Sequence, residues 1–95
     1  MPVPTFHELM LPLLNHASQR VGETYIGGLE QEIAEALSLT DEDTSRLLPS
    51  GKQTVYSNRL NWAKSYMPKA GLVQSTRHGY FLVTQRGLDL LAERP

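Results

Sequence analysis

Within residues 54–65 the chain sets Thr54, Ser57, Asn58, Asn61, Lys64 and Ser65 at steps of one to four residues, so on a helix these groups would share one broad surface. Their chemistry is hydrogen bonding rather than covalent catalysis. An Asn amide presents a donor beside an acceptor, hydroxyls do both jobs, and a Lys ammonium is a point charge suited to an anion. The surrounding charge is one-sided. Residues 52–86 carry Lys52, Arg59, Lys64, Lys69, Arg77 and Arg86 and not one Asp or Glu. A block of that kind usually faces something acidic.

Catalytic and metal chemistry find little support. His7, His16 and His78 have no cysteine to join them and no spacing that suggests a shared metal, so each reads as a surface or satisfied core histidine. Asp41, Glu42 and Asp43 are neighbours that cannot point at one centre on a helix, and they read as a solvated helix start. No serine or lysine sits in a nucleophile motif. We expect no catalytic residue, no metal and no cofactor in this domain.

The elements that must position the polar surface follow from length and pattern. With 95 residues, 40% hydrophobic and 20% charged, the chain has material for one small core, so residues 1–95 should form a single domain. The absence of cysteine excludes disulfides and is compatible with a reducing compartment. The longest apolar run, residues 9–14, is interrupted by Pro12 and falls far short of a membrane span, so a soluble, cytoplasmic protein with no membrane partner is expected. The formal net charge of −1 argues against a nucleic-acid partner until its distribution is seen. Residues 1–51 sum to −6, residues 52–86 to +6 and the tail to −1. The alternative is that the two halves simply neutralise each other across the fold.

Thr5 and Glu8 have the spacing of a capping box, and Leu9, Leu13 and Ala17 continue an apolar stripe towards Gly22. Pro12 predicts a kink, or a start nearer Met10. Thr24, Tyr25 and Ile26 are β-prone, Gly27 and Gly28 interrupt, and Leu29, Ile33, Ala34 and Leu37 repeat as a second helix. A further helical turn is expected from Thr40 and Asp41 up to Leu47 and Leu48, before a loop at Pro49, Ser50 and Gly51. Tyr56, Leu60, Ala63, Met67 and Ala70 then form the core stripe of the longest helix, with Thr54, Asn58, Asn61 and Ser65 opposite. Arg59 lies nearer the stripe and reads as a salt bridge to an acid of the first half, and Trp62 and Tyr66 read as packing. Pro68 and Gly71 end the helix, with Gly71 left-handed just beyond it. Residues 72–76 and 80–84 alternate as strands joined by Arg77, His78 and Gly79, and Thr84 caps a last helix with Leu88, Leu90 and Leu91.

Helix, short strand, helix, long helix, hairpin, helix is the order of an α+β, mostly helical fold: a winged helix-turn-helix with a C-terminal β-hairpin wing and a final helix. In that fold the third helix enters the major groove of double-stranded DNA and the hairpin reaches for the backbone. The candidate DNA-binding residues are therefore Lys52, Thr54, Ser57, Asn58, Asn61, Lys64, Ser65, Arg77 and His78. Two alternatives stay open. One is a standalone transcriptional regulator, which would read a two-fold site as a homodimer, with residues 85–94 the obvious interface. The other is a protein-interaction module using the acidic half.

The run LPSGKQTVYSNRLNWAKSYMPKAGLV, followed by RHGYFLVTQRGLDLL, resembles the N-terminal domain of the Mrr-like restriction endonucleases. The resemblance rests on residues 48–51, Asn58-Arg59, Trp62-Ala63, residues 69–72 and Gly79, and the opening FHELMLPLL is similar as well. Pro68 departs from it, since a helix former is usual there. The resemblance implies a winged-helix DNA-binding domain in front of a separate nuclease domain of the PD-(D/E)xK type, which uses magnesium to cut modified, methylated DNA in bacteria. No matching Asp, Glu and Lys cluster stands in these residues, so a domain fragment or a standalone module is expected.

Overall fold

A computed structural model describes residues 3–93. Helix α1 (Phe6–Ser18) opens on the expected capping box: the Glu8 amide donates to Thr5 Oγ1 at 3.3 Å and the Thr5 amide donates to Glu8 Oε1 at 2.9 Å. These two bonds fix the start at Phe6 rather than near Met10, and Pro12 is carried inside the helix. Strand β1 (Thr24–Tyr25) runs into a single 3-10 turn (Ile26–Gly28) and then α2 (Glu30–Ala36). Thr40 and Asp43 form a second capping box at α3 (Asp41–Ser45).

Two expectations fail here. The α3 turn stops at Ser45, because Leu47 leaves to form a bridge with Thr54 while the Leu48 amide bonds the Gln53 carbonyl. Nor is this acidic helix start wholly solvated, since Asp43 is buried and accepts from the Thr40 amide at 3.0 Å.

The long helix α4 (Val55–Tyr66) buries Tyr56, Leu60 and Ala63, with Met67 just beyond, against the Leu9, Leu13 and Ala17 face of α1. Ala70 does not continue the stripe and is exposed. Pro68 has no amide hydrogen, so regular helix stops at Tyr66, yet the chain keeps turning. The Leu72 amide bonds the Met67 carbonyl and the Gly71 amide bonds the Pro68 carbonyl, both at 3.0 Å. That pair is a Schellman closure, and it needs the positive φ of 76° that Gly71 supplies without Cβ strain.

Strands β2 (Val73–Arg77) and β3 (Tyr80–Val83) form the hairpin, joined by His78 and Gly79 alone. Arg77 is a strand residue paired with Tyr80, and the register slips between Ser75 and Arg77 so that Thr76 bulges. The antiparallel order β1-β3-β2 places β3 at the centre, with Phe81 fully buried beneath it. Thr84 closes the hairpin base. Its amide donates to the Leu72 carbonyl, its hydroxyl donates to the Gly71 carbonyl, and the same oxygen accepts from the Gly87 amide to cap α5 (Gln85–Ala92). A Cβ on Gly87 would stand 2.4 Å from the Leu72 carbonyl oxygen, so only glycine lets α5 sit this close. The architecture is a winged helix: α2, α3 and α4 as the helical lead, β2 and β3 as the wing. Among the described residues, no helix is long and apolar enough to cross a membrane.

Candidate nucleic-acid interface

Because the inner face of α4 is fixed by Tyr56, Leu60 and Ala63, the opposite face is presented outward. Two depressions flank it. A cleft of about 310 Å³ between α4 and the hairpin turn is lined by Glu30, Ser57, Asn61, Lys64 and His78 among others. A shallower one is lined by Gln53, Asn58, Asn61, Trp62 and Ser65. Asn61 belongs to both, so it sits on the ridge between them.

The polar side chains are held by bonds within the domain. Ser57 Oγ donates to Glu30 Oε1 at 2.9 Å, Asn58 Nδ2 donates to Gln53 Oε1 at 3.2 Å, and Asn61 Nδ2 donates to the Ser57 carbonyl at 2.8 Å. Ser65 Oγ donates to the Trp62 carbonyl at 2.9 Å. Each bond commits one donor and leaves the rest of the group for a ligand. An Asn amide so held keeps its oxygen and a second N–H, whereas a Ser hydroxyl has given up its only proton. Thr54 is less available than its sequence position suggested: its hydroxyl accepts from the Ser57 amide at 3.0 Å as the α4 cap. Lys52 is exposed on the loop ahead of α4 and lines neither depression. Arg77 also stands apart. Its guanidinium lies 3.8 Å over the Tyr80 ring and its Nε is 3.4 Å from Glu23 Oε2.

The chain matches the model of the Mrr N-terminal domain over residues 6–93. It belongs to that family. It is 33% identical to the "Type IV methyl-directed restriction enzyme EcoKMrr" of Escherichia coli strain K12 across all 95 residues, which is 31% of that protein. The chain therefore spans about a third of this curated relative's length. No solved structure matches it.

In this Mrr N-terminal domain two assignments made from spacing are corrected. Arg59 does not pair with an acid: Nη1 donates to the Val3 carbonyl at 2.6 Å and the Pro4 carbonyl at 3.3 Å, and its charge reaches Glu8 only as a weaker, longer-range pull. It ties α4 to the segment ahead of α1. Trp62 is not core packing either, being 51% exposed between Asn58 and Ser65 on the outer surface. Tyr66 is partly exposed but does pack, stacked on Phe6 with centroids 5.1 Å apart, and Lys69 Nζ lies 5.0 Å from the centroid of the Tyr66 ring. Trp62 and Gln53 in one depression, and Glu30, Tyr25, Ile26, Gly27 and Gly79 in the other, were not among the sequence candidates. A signal for Trp62 was present, since four residues after Asn58 is a rotation of only about 40°.

The domain's carboxylates are largely engaged. The Thr5 amide holds Glu8 below the usual carboxylate range, the Thr76 hydroxyl does so for Glu23, His16 for Glu32 and the Thr40 amide for Asp43. Tyr56 is pushed up to about 12 by burial, and its hydroxyl donates to the Glu30 carbonyl at 2.6 Å. Among the described residues Lys52 and Lys64 form no salt bridge, and no group of three or more His, Asp or Glu is placed to hold a metal ion.

Proposed function

We propose that this Mrr N-terminal domain grips double-stranded DNA for a restriction endonuclease, with α4 in the major groove and the hairpin wing along the backbone. The observation that carries the reading is the outer face of α4: Asn58 and Asn61 fixed by internal hydrogen bonds, beside Lys64, which forms no salt bridge among the described residues. Asn61, Lys64 and His78 would meet DNA together from the cleft, with Lys52 as a separate phosphate contact. Arg77 would support the wing more than touch the backbone, because its charge is already shared with Glu23. The cofactor-free domain would serve a separate magnesium-dependent nuclease domain in a bacterial cytoplasmic parent. The relative's description as methyl-directed supports methylated DNA as the substrate. Family membership favours this reading over a standalone homodimeric regulator.

The test is fluorescence anisotropy with a duplex of roughly 25 base pairs, plain and methylated, at about 50 and 200 mM salt. Phosphate contacts predict a steep loss of affinity at the higher salt. No binding at low salt would remove the proposal.

A further inference from the structure

Trp62 is the only tryptophan in the chain and one of its most exposed large apolar side chains, at 51%. Its position is not that of a stray surface residue. Asn58 lies one turn before it, Ser65 nearly one turn after, Asn61 beside it, and all three line the same shallow depression with Gln53. No acid lines that depression, and Lys64 stands on the same helix. The indole is also held. Its ring lies 6.1 Å from that of Tyr66, which is itself stacked on Phe6.

The rest follows from how little other chemistry the indole has. A helix that brings Asn58 and Asn61 to base edges brings Trp62 close to them, because it lines the same depression and lies only about 40° around the helix from Asn58. An indole has one N–H donor and otherwise an apolar face. In the major groove the apolar feature of a base edge is the methyl group at pyrimidine C5, which thymine carries and which a C5-methylated cytosine carries at the same place. The neighbouring amides each keep an oxygen and one N–H for polar contacts, and the indole adds the large apolar surface on this face.

We infer that Trp62 is a specificity-determining residue that packs against a pyrimidine C5-methyl group in the major groove. The inference rests on the DNA-binding reading above, and one set of measurements separates the two. Binding of the 95-residue chain to a duplex of about 25 base pairs is followed by anisotropy of a labelled strand, while acrylamide quenching of the single tryptophan reports whether the indole is covered. The same duplex is then made with deoxyuridine in place of thymidine, which deletes only the C5-methyl groups, and with methylated cytosine.

The expected result is that Trp62 is protected in the complex and that uracil weakens wild-type binding roughly fourfold for each methyl the indole touches. Trp62→Ala should lose that dependence while retaining its salt dependence and its circular dichroism. The wild-type comparison of thymine with uracil stands even if the variant folds poorly. DNA binding with the tryptophan still fully quenchable, or with an equal uracil effect in wild type and Trp62→Ala, would overturn the inference and leave the DNA-binding reading intact. No binding to any duplex at low salt would overturn both and leave this face to a protein partner.

Discussion

The acidic first half and the basic second half of this domain use their charges in opposite ways. Six of the eight carboxylates of the first half are absorbed by the fold: Glu8 and Asp43 complete capping boxes, Glu32 meets His16 and Arg20, Glu23 holds Thr76 and Arg77, Glu30 accepts a hydrogen bond from the Ser57 hydroxyl and Glu35 accepts one from the Gln31 amide. The basic half divides by residue type. Arg59 clamps two carbonyls, Arg77 lies on Tyr80, and Arg86 lies close against Gly71. Among the described residues Lys52 and Lys64 form no salt bridge. The guanidinium groups of Arg59 and Arg77 are built into the scaffold and Lys69 lies over the Tyr66 ring, whereas the ammonium groups of Lys52 and Lys64 are left for a polyanion to find. A net charge near zero therefore says little about the partner once internal engagement is taken into account.

This contrast can be broken most forcefully at the lysines. Reversing both, Lys52→Glu with Lys64→Glu, should lower DNA affinity at low salt on the order of a hundredfold by anisotropy, while stability to urea stays within about 0.5 kcal/mol. Undiminished DNA binding would end the contrast. Asn61→Ala sharpens it on the reading side, with an expected loss of about 1–3 kcal/mol in discrimination between duplexes; an equal loss on every duplex would mean that Asn61 touches only phosphate.

In the acidic half the expected effects fall on stability alone. Thr40→Ala removes the α3 cap and should cost about 1 kcal/mol in urea unfolding with DNA affinity unchanged. Acid gives the smallest effect per group. Glu8, Glu23, Glu32 and Asp43 have folded pKa values below their unfolded ones, so their contribution is fully present above the unfolded values, about 4, and is lost as pH falls through the depressed range. Urea midpoints should hold steady from neutral pH to about 5 and then decline. A midpoint that rises on acidification would contradict the assigned bonding.

Local signals made much of this architecture readable. Thr5 with Glu8 marked the start of α1, the spacing of Tyr56, Leu60 and Ala63 marked the buried face of α4, and Gly71 marked its left-handed exit. What escaped was set by distant partners. Leu47 and Leu48 look helical until Thr54 and Gln53 pair with them, and nothing near Arg59 announces the carbonyls of Val3 and Pro4. Trp62 escaped for another reason: an aromatic on the edge of an apolar stripe has the same spacing whether it packs inward or stands in solvent. The candidate surface was legible as a set of residues, but its division into two depressions depends on where the hairpin turn comes to rest.

The Thr84 clasp has a consequence for how such domains diversify. Its bonds to Gly71 and Leu72 seal the hairpin at its root, while Val73, Phe81 and the pairing with β1 anchor the strands to the core. Exchanging exposed residues of the hairpin should therefore leave the α4 exit and the α5 start closed, provided Val73, Phe81 and the bond from the Ile26 amide to the Gly79 carbonyl are kept. Retargeting by hairpin grafting should succeed when the graft is joined inside Thr84 and retains Val73 and Phe81, and fail when the junction replaces Thr84.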